Sequence, residues 1–434
     1  MPLQLMSNRG TIWDCNPKKD GNLRSIIPKG SIFKAKHQMV KFLYIHRDLE
    51  DPITQGTFRN RAELIIGPRQ VGKSTMLDHL VQNQRFIKLT GEDENDLSIL
   101  ADPKSFLSLT QQFSYVIIDE AQYVPNIGRV IKRMVDNNTS DSRIFVTGSS
   151  ALDLGGHLKE SAAGRFNSYN LWPLSLEELS KHSSWIEVKR QINDRMIYGC
   201  HPDVINDPYH AKEYLLDFAD SILYKDLFRL AEVRKPTDLT KLVTFLAANV
   251  GSEIRYGSIA SELGIQNKTI ERYVDLLASC FIVKVVPSWS RNPTAELKLS
   301  KKIYFYDNGI RNAILKNFTP VPAREDKGAL WENLFFTERL KRHAFRRDGG
   351  EIFFWRTKKQ HEMDFVEVVD GTIAAFECKA GNKSNTNSIK AFKRAYPNIP
   401  VTVVSPENID LEPEPPVSLE VAFMKSEELV SPND

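Results

Sequence analysis

The sequence contains few cysteines and no long hydrophobic run. Its four cysteines, Cys15, Cys200, Cys280 and Cys378, are far apart in 434 residues and form no Cys-x-x-Cys pair. This spacing argues against a disulfide framework and a cysteine zinc site, so we expect reduced thiols. No run of about 18 apolar residues could span a bilayer. The first residues lack a basic segment followed by an apolar one, so we predict a soluble, cytoplasmic protein with no membrane partner.

The chain also lacks a strong overall charge. Its 58 Lys and Arg against 55 Asp and Glu leave a net charge of +3, which neither favours nor excludes nucleic acid as a partner. The charge is unevenly distributed, because residues 339–359 are strongly basic and residues 401–434 strongly acidic. Each run is either a solvated face or, in the basic case, a surface that follows phosphates.

A phosphate-binding loop is the first clear motif. A short, mostly apolar run, Ala62–Ile66, is followed at once by Gly67, Pro68, Arg69, Gln70, Val71, Gly72, Lys73, Ser74 and Thr75. This is the pattern G-x-x-x-x-G-K-[ST] between a predicted strand and a predicted helix. Its glycines let the backbone wrap a phosphate, its lysine contacts the β- and γ-phosphates, and its serine is a ligand of Mg²⁺. These nine residues therefore predict binding of ATP and Mg²⁺.

Acidic residues follow a second buried strand, as hydrolysis would require. The run Tyr115–Ile118 leads into Asp119, a candidate Mg²⁺ ligand, and Glu120, a candidate to polarise the attacking water. A third run, Ile144–Thr147, ends beside Ser149, and Thr147 and Ser149 are either γ-phosphate sensors or ordinary turn residues. Together with the run Phe86–Leu89, these short apolar segments predict a parallel α/β sheet.

The motifs GPRQVGKST, VIIDEAQ, VTGSSAL and AGRFNSYNLWPLSLEEL occur in this order. They resemble a family of bacterial and archaeal AAA-type ATPases that carry a C-terminal restriction-endonuclease-like domain, and the resemblance covers about residues 40–400. It implies a homo-oligomer, namely a hexameric ring with ATP sites between subunits. The Gly-Arg pair of the family falls on Gly164 and Arg165. Arg165 is then either an arginine finger for a neighbouring subunit or an exposed, salt-bridged arginine.

A helix-turn-helix unit is predicted in the middle of the chain. Residues 258–263 fit a short helix, Gly264 a turn, and residues 267–277 a second helix, while residues 281–286 fit a wing strand. In a DNA reader, Lys268, Thr269 and Arg272 would face the groove. The alternative is that the unit only packs domains together.

A second candidate site lies in the C-terminal part. Strands are predicted at residues 351–355, 363–369 and 372–379, with Asp370 and Gly371 as a tight turn. The turn brings Asp364 and Glu377 opposite one another, with Lys379 on the same face as Glu377. Paired carboxylates favour Mg²⁺ or Mn²⁺, and a neighbouring lysine suits metal-assisted hydrolysis of phosphodiesters. An exposed ladder of ion pairs would have the same residue types.

This set resembles the PD-(D/E)XK nucleases, whose carboxylate and lysine positions match Asp364, Glu377 and Lys379. Glu332, in a predicted preceding helix, matches the extra glutamate that some members, including archaeal Holliday-junction resolvases, use at the metal. The basic run of residues 339–359 lies between Glu332 and Asp364, which favours phosphate contacts for that run.

We therefore predict an α/β chain with a P-loop, parallel-sheet AAA-type ATPase domain, a helical and winged-helix middle and a C-terminal α/β nuclease-like domain. The predicted segments are an extension over 1–40, the ATPase core over 41–174, a helical lid over 175–236, the winged helix over 237–290, the nuclease-like domain over 291–405 and an acidic tail over 406–434. The favoured function is an ATPase acting on DNA with a structure-specific endonuclease, for example on branched or Holliday-junction DNA. The alternatives are a signalling or defence ATPase whose nuclease-like domain only binds DNA or a protein partner, and a DNA-binding regulator switched by ATP.

Overall fold

A computed structural model describes most of the chain between residues 43 and 422. The described residues are 43–55, 61–138, 142–149, 162, 164–221, 235–290, 300–381, 386–409, 416–418 and 422. The predicted extension and most of the predicted acidic tail lie outside them. No helix in these ranges is long and apolar enough to cross a membrane. Cys200, Cys280 and Cys378, the cysteines within these ranges, are free thiols, as expected.

Strands and helices alternate in the first third of the described chain and cluster later. The strands are β1 Ala62–Ile66, β2 Phe86–Thr90, β3 Tyr115–Asp119, β4 Arg143–Gly148, β5 Phe166–Asn170, β6 Glu253–Ile254, β7 Val283–Pro287, β8 Lys301–Phe305, β9 Glu351–Arg356, β10 Glu362–Val369, β11 Thr372–Cys378, β12 Val401–Val404 and β13 Val417–Ser418. The helices are α1 Glu50–Gln55, α2 Lys73–Val81, α3 Glu94–Ala101, α4 Pro103–Gln112, α5 Ile127–Asn137, α6 Leu176–His182, α7 Trp185–Arg190, α8 Ile192–Tyr198, α9 Pro202–Asn206, α10 Ala211–Ser221, α11 Pro236–Ala248, α12 Tyr256–Leu263, α13 Asn267–Ser279, α14 Asn308–Ile314, α15 Lys327–Arg346 and α16 Thr386–Ala395. Two short 3₁₀ helices cover Ala121–Tyr123 and Val321–Ala323.

The first sheet is parallel and has the strand order β2-β3-β4-β1-β5. The predicted strands are present with bounds that differ by at most one residue. β5 was not predicted, because its sequence FNSYN is polar and alternates, as suits an edge strand. Since all five strands run in one direction, the loops after β1, β3 and β4 meet at one edge.

Successive side chains of β1 enter two different cores, one on each face of this sheet. Leu64 packs in the core that contains Ile131 of α5, whereas Ile65 packs in the core that contains Met76 and Leu77 of α2. These five side chains from β1, α2 and α5 are each 2% exposed or less. Covering on both faces explains why every residue of the strand except Glu63 is apolar, and it fixes the start of α2 directly after the loop.

The middle of the chain contains the predicted helix-turn-helix. α12 ends at Gly264, whose φ of 67° favours glycine, and α13 follows with Ile270, Val274 and Leu277 buried. β6, β8 and β7 form an antiparallel sheet beside these helices. The predicted boundary at residue 290 therefore divides one sheet, because β8 lies beyond it.

The C-terminal sheet is mixed, with the order β12-β11-β10-β9, and β13 pairs with the end of β11. The predicted hairpin is present, and its turn residues Asp370 and Gly371 have φ values of 46° and 74°, as a tight hairpin turn requires. This sheet is joined to the winged-helix part, since the Trp289 amide donates to the Phe354 carbonyl at 2.6 Å. The two parts also share one hydrophobic core, which includes Tyr304 of β8 and Phe376 of β11.

Candidate functional site

The loop between β1 and α2 has the backbone shape that its sequence predicts. Gln70 and Gly72 have positive φ values of 56° and 91°. A Cβ at Gly67 would lie 1.9 Å from the carbonyl oxygen of Leu171, so only glycine fits beside the chain that leaves β5. The loop is thus held between its own strand and the segment after the edge strand.

Lys73 lies inside this loop rather than in solvent. Its Nζ donates to the carbonyl oxygens of Gly67 at 2.9 Å and Pro68 at 2.8 Å, and the residue is 5% exposed. Burial lowers the pKa of Lys73 to about 8, although the charges of Glu120 and Asp119 oppose this shift. The ammonium group is therefore at the centre of the loop, where phosphate oxygens would replace the carbonyls.

The predicted Mg²⁺ ligands contact each other directly. Ser74 Oγ donates to Asp119 Oδ2 at 2.7 Å, and the hydroxyl of Thr147 donates to the other oxygen of Asp119. Burial alone would raise the pKa of Asp119, but the hydrogen bonds from Thr147 and Ser74 outweigh it and lower the pKa. Asp119 is thus an ionised carboxylate at neutral pH, which is the state that a Mg²⁺ ligand needs.

Glu120 is held by residues from two loops. Its backbone has a φ of 47°, and its amide lies 3.1 Å from Asp119 Oδ1 and 3.3 Å from Thr147 Oγ1. Its carboxylate accepts from the side-chain amide of Gln122 and, at 3.4 Å, from Ser149 Oγ. Thr147 and Ser149 therefore contact the two carboxylates. Gln122 was not predicted as a site residue, although it stands in the motif VIIDEAQ.

Arg47 lies in the segment before β1 and contacts the phosphate loop. It was not predicted as a site residue. Its Nη1 donates to the Val71 carbonyl at 2.7 Å, its Nη2 to the Trp172 carbonyl at 2.6 Å, and its Nε to Glu178 Oε1 at 3.0 Å. Both side chains of the ion pair are buried, at 3% and 0% exposure. Glu178 also forms the capping box of α6 together with Ser175. The buried pair of Arg47 and Glu178 therefore connects the phosphate loop, the segment after β5 and the first lid helix.

A cavity of about 510 Å³ opens beside this loop, within the usual size range of small-molecule sites. One wall is the segment before α1, including Leu43 and Tyr44, and the other includes Pro202 and Asn206 of α9. The Tyr214 hydroxyl of α10 donates to Gln70 Oε1 at 2.7 Å. The predicted lid therefore contacts the phosphate loop directly.

Arg165 does not approach the phosphate loop of its own chain. Its carbonyl accepts from the amide of Ala62, at the start of β1, whereas the loop follows the end of that strand. A strand of five residues spans roughly 17 Å. The guanidinium pairs with Asp136 at 3.0 Å, and both side chains are about two-fifths exposed. A role for Arg165 in a neighbouring subunit stays a prediction.

The predicted carboxylates of the C-terminal site do come together. The ladder pairs Phe365 with Phe376, and continuing it by one residue places Asp364 opposite Glu377. The pairing of β10 with β9 is irregular between Met363 and Val366, the stretch that contains Asp364, and such bulges often re-aim side chains at sites. The backbone amide of Cys378 donates to Asp364 at 2.7 Å, and Lys379 donates to Glu377.

Burial and like charge perturb both carboxylates. Burial, then the neighbouring charges of Glu332 and Glu377, raises the pKa of Asp364 well above its usual value. Burial also raises the pKa of Glu377, against the effect of Lys379. Glu332 of α15 is thus part of the same cluster, as predicted.

Three further residues of this cluster were not predicted. Lys302 and Tyr304 extend from β8 of the winged-helix part, and Glu332 Oε1 accepts from both, at 3.2 Å and 2.5 Å. Glu362 of β10 forms an ion pair with Lys302. We call these residues together the carboxylate cluster: Lys302, Tyr304, Glu332, Glu362, Asp364, Glu377 and Lys379.

The cluster has oxygen donors that suit a divalent cation, but three of its four carboxylates, Glu332, Glu362 and Glu377, pair with lysines. Within the described part of the chain, no three histidine, cysteine or carboxylate side chains are arranged to hold a metal ion. Oε2 of Glu377 is buried and has no hydrogen-bond partner. A buried carboxylate oxygen without a partner is costly, and a hard cation would satisfy it. The donor set therefore fits Mg²⁺ or Mn²⁺ by its chemistry.

The first part of the basic run of residues 339–359 pairs with groups inside the protein. Arg339 forms a two-pronged ion pair with Glu367, and Lys341 donates to the Leu174 carbonyl and pairs with Glu338. The reason is that α15 packs against the first sheet and the lid, so the run supplies partners for internal carboxylates and carbonyls.

A groove of about 640 Å³ lies between the winged helix and the turn after β9, and the later part of the basic run contributes Arg356 and Lys358 to it. It is lined by Arg255, Tyr256, Lys301 and Lys358, among others. On α13, Lys268 and Arg272 are exposed as a DNA reader requires, but Glu271 and Asp275 are exposed too. The outer face of α13 is thus of mixed charge. The groove has an excess of positive charge, since Arg255, Lys301, Arg356 and Lys358 line it together with the carboxylates Glu253 and Glu271. It adjoins the carboxylate cluster through Arg356, which contacts Glu362 at 3.4 Å.

Comparison with protein families divides the chain into three matched regions. Residues 59–180 match an AAA domain, residues 189–320 a domain of unknown function (DUF8612), and residues 327–413 another domain of unknown function (DUF4143). The second region includes β8, in agreement with the sheet that crosses residue 290.

Similar proteins are found in distant organisms. An uncharacterised protein of Haemophilus influenzae is 28% identical over 78% of this chain and 88% of its own length. One of Mycobacterium tuberculosis is 26% identical over 80% of this chain and 76% of its own length. Among solved structures, the Walker-type ATPase of Pyrococcus abyssi covers 63% of this chain and 96% of its own, with 14% identity and a TM-score of 0.45. The family match and the loop geometry agree: residues 59–180 of this chain form a P-loop ATPase domain of the AAA type.

Proposed function

We propose that this chain hydrolyses ATP at the phosphate loop and cleaves DNA at the carboxylate cluster in a reaction that depends on a divalent cation. The single observation that carries the nuclease part is the assembly of Asp364, Glu377, Lys379 and Glu332 from three separate segments into one cluster with a buried, unpartnered carboxylate oxygen.

At the phosphate loop, each polar group has a defined task. Lys73 neutralises phosphate charge, Asp119 and Ser74 supply oxygen ligands for Mg²⁺, and Glu120 orients the attacking water. Gln122 and Ser149 hold the carboxylate of Glu120 from one side, which fixes its direction. Loss of either contact is expected to reduce the hydrolysis rate more than the affinity for ATP.

At the carboxylate cluster, Asp364 and Glu377 would hold the cation, with Glu332 assisting. A bound divalent cation stabilises charge on the scissile phosphate and lowers the pKa of a water ligand. Lys379, which donates to Glu377, is placed to hold the attacking water or to stabilise the phosphate charge. Asp364, Glu332 and Lys379 keep partial contact with solvent, which a reaction on a large substrate requires.

The groove beside the winged helix is the proposed DNA path. Arg255 and Lys358 are exposed, and Lys301 lies over the Tyr256 ring at 5.2 Å, so cations and an aromatic face line one groove. Cations in a groove follow a phosphate backbone, and an aromatic ring can stack on a base. Changing both Lys301 and Lys358 to alanine should weaken DNA binding and reduce its dependence on salt concentration, whereas ATP hydrolysis without DNA should persist.

Cleavage is tested by incubating the purified chain with duplex, single-stranded, forked and four-way DNA, with Mg²⁺ or Mn²⁺ and with or without ATP. Asp364→Asn and Glu377→Gln should abolish cleavage and leave ATP hydrolysis intact. Asp370→Asn is the matched control, because it removes an exposed carboxylate of the same hairpin and asparagine tolerates a φ of 46°. If the unaltered chain cuts none of the four DNAs, or if Asp364→Asn still cuts, the nuclease assignment is wrong and a docking role replaces it.

A further inference from the structure

Lys302 is a buried lysine at the centre of the carboxylate cluster. It lies on β8, in the sheet of the winged helix, and only 2% of its side chain is exposed. Its Nζ is 3.2 Å from Glu332 Oε1 and contacts Glu362 even more closely. Lysine is rarely buried without a strong charge partner, and here it has two.

The formal charges of the cluster do not cancel. Its carboxylates outnumber its lysines by two when these six residues are compared: Glu332, Glu362, Asp364, Glu377, Lys302 and Lys379. Arg356 also approaches Glu362, although it pairs with Glu253 at 2.8 Å, a carboxylate that Arg255 contacts as well, at 3.2 Å. A divalent cation would reduce the excess of carboxylates in the cluster.

Lys302 and a divalent cation need the same oxygen atoms. Glu332 Oε1 already accepts from Lys302 and from the Tyr304 hydroxyl. Mg²⁺ binds carboxylate oxygens at roughly 2.0–2.1 Å, a distance that leaves no room for an ammonium hydrogen on the same lone pair. The two cations therefore compete for Glu332.

We propose, on the basis of the proposed metal-dependent function, that Lys302 is the resident counter-ion of the carboxylate cluster and that a divalent cation binds by displacing its ammonium group from Glu332 and Glu362. Because Lys302 belongs to β8, cation binding also releases an ion-pair contact between the winged helix and the C-terminal sheet. The sheet of the winged helix then contributes Lys302 to the metal site, and its ion-pair contact with the C-terminal sheet depends on whether the cation is bound.

The test measures binding of Mn²⁺ to the full chain without nucleotide, by the spin-resonance signal of free Mn²⁺, together with melting temperature. Lys302→Met should bind Mn²⁺ at least about tenfold more tightly, because one positive charge next to the site is removed. Its melting temperature should be lower than that of the unaltered chain without Mn²⁺, and Mn²⁺ should recover most of the difference.

A second pair of variants keeps the test valid if Lys302→Met does not fold. Glu362→Gln removes one charge and keeps the lysine, and Lys302→Met with Glu362→Gln restores the original charge balance. The double variant should bind Mn²⁺ more tightly than Glu362→Gln alone. Equal or weaker binding in that comparison would overturn the role of Lys302. If the unaltered chain shows no Mn²⁺ binding that Asp364→Asn removes, the metal site itself is wrong.

Discussion

The buried pair of Arg47 and Glu178 gives a sharp prediction about the phosphate loop. Arg47→Met removes three contacts at once, to Glu178, to the Val71 carbonyl and to the Trp172 carbonyl. Breaking a buried ion pair by removing one partner typically costs about 3–5 kcal/mol, since the other charge stays buried. Glu178 keeps hydrogen bonds from the amides of Asp48 at 3.0 Å and Ser175 at 2.8 Å, which places the expected loss near the lower end, roughly 3 kcal/mol.

A double-mutant cycle separates this pair from general damage. Glu178→Gln alone leaves Arg47 buried without its charge partner and should also cost roughly 3 kcal/mol. The double variant Arg47→Met with Glu178→Gln buries no unpaired charge, so it should lose about as much as either single variant. The coupling energy is then roughly 3 kcal/mol, far above the few tenths expected for independent sites.

Urea unfolding followed by tryptophan fluorescence measures these free energies, and a fluorescent ATP analogue measures binding. Arg47→Met should also weaken nucleotide binding, because Val71 of the loop loses its anchor. Lys181→Met is the matched control: Lys181 lies on the same lid helix and pairs with Asp48, but it is more than half exposed, so the change should cost at most about 1 kcal/mol. A loss under about 1 kcal/mol for Arg47→Met, or additive single effects, would refute the reasoning.

Three further predictions concern ATP. Lys73→Ala should lose nucleotide binding, whereas Glu120→Gln should bind ATP and hydrolyse it slowly; unchanged turnover in Glu120→Gln would remove that residue from the mechanism. Bound phosphates favour the charged form of Lys73, whose pKa in the free protein is about 8. ATP binding should therefore take up a proton above that pH, and the affinity for ATP should fall as the pH rises further, by at most about tenfold per pH unit. Calorimetry in buffers of different ionisation heat detects the proton, and a pH-independent affinity over this range would contradict the shift. If Arg165 acts on a neighbouring subunit, Arg165→Ala should bind ATP but lose about 10³ in turnover, and mixing it with Lys73→Ala should restore part of the activity. Absence of rescue would identify Arg165 as a surface partner of Asp136.

The sequence was informative where the relevant contacts are local. The phosphate loop needs only a strand, nine consecutive residues and a helix, and the hairpin register follows from one turn at Asp370 and Gly371. Both depend on residues that are close in the chain, so alternation and spacing are sufficient to place Asp364 opposite Glu377. Glu332 came from the resemblance, since nothing local connects it to the hairpin.

Contacts between distant segments could not be read in this way. Arg47 and Glu178 are 131 residues apart, and Lys302 is 30 residues from Glu332. No periodicity or motif connects such pairs, because they meet only when separate elements pack. The basic run led to the opposite error. Its charge suggested that Arg339 and Lys341 lie at the surface, but on α15 they pair with the carboxylates of Glu367 and Glu338.

One helix contacts the surroundings of both candidate sites. On α15, Glu332 belongs to the carboxylate cluster, and Glu338 accepts from the amide of Leu176 at 2.7 Å, at the start of the lid helix α6. The same lid helix carries Glu178, which holds Arg47 against the phosphate loop. Glu332 and Glu338 are six residues apart, or about 9 Å along a helix. Hydrogen-bonded and packed groups therefore connect α6 continuously to the carboxylate cluster, and the rigid helix α15 forms most of this connection. A displacement of α6 would act on Glu338 and, through α15, on Glu332.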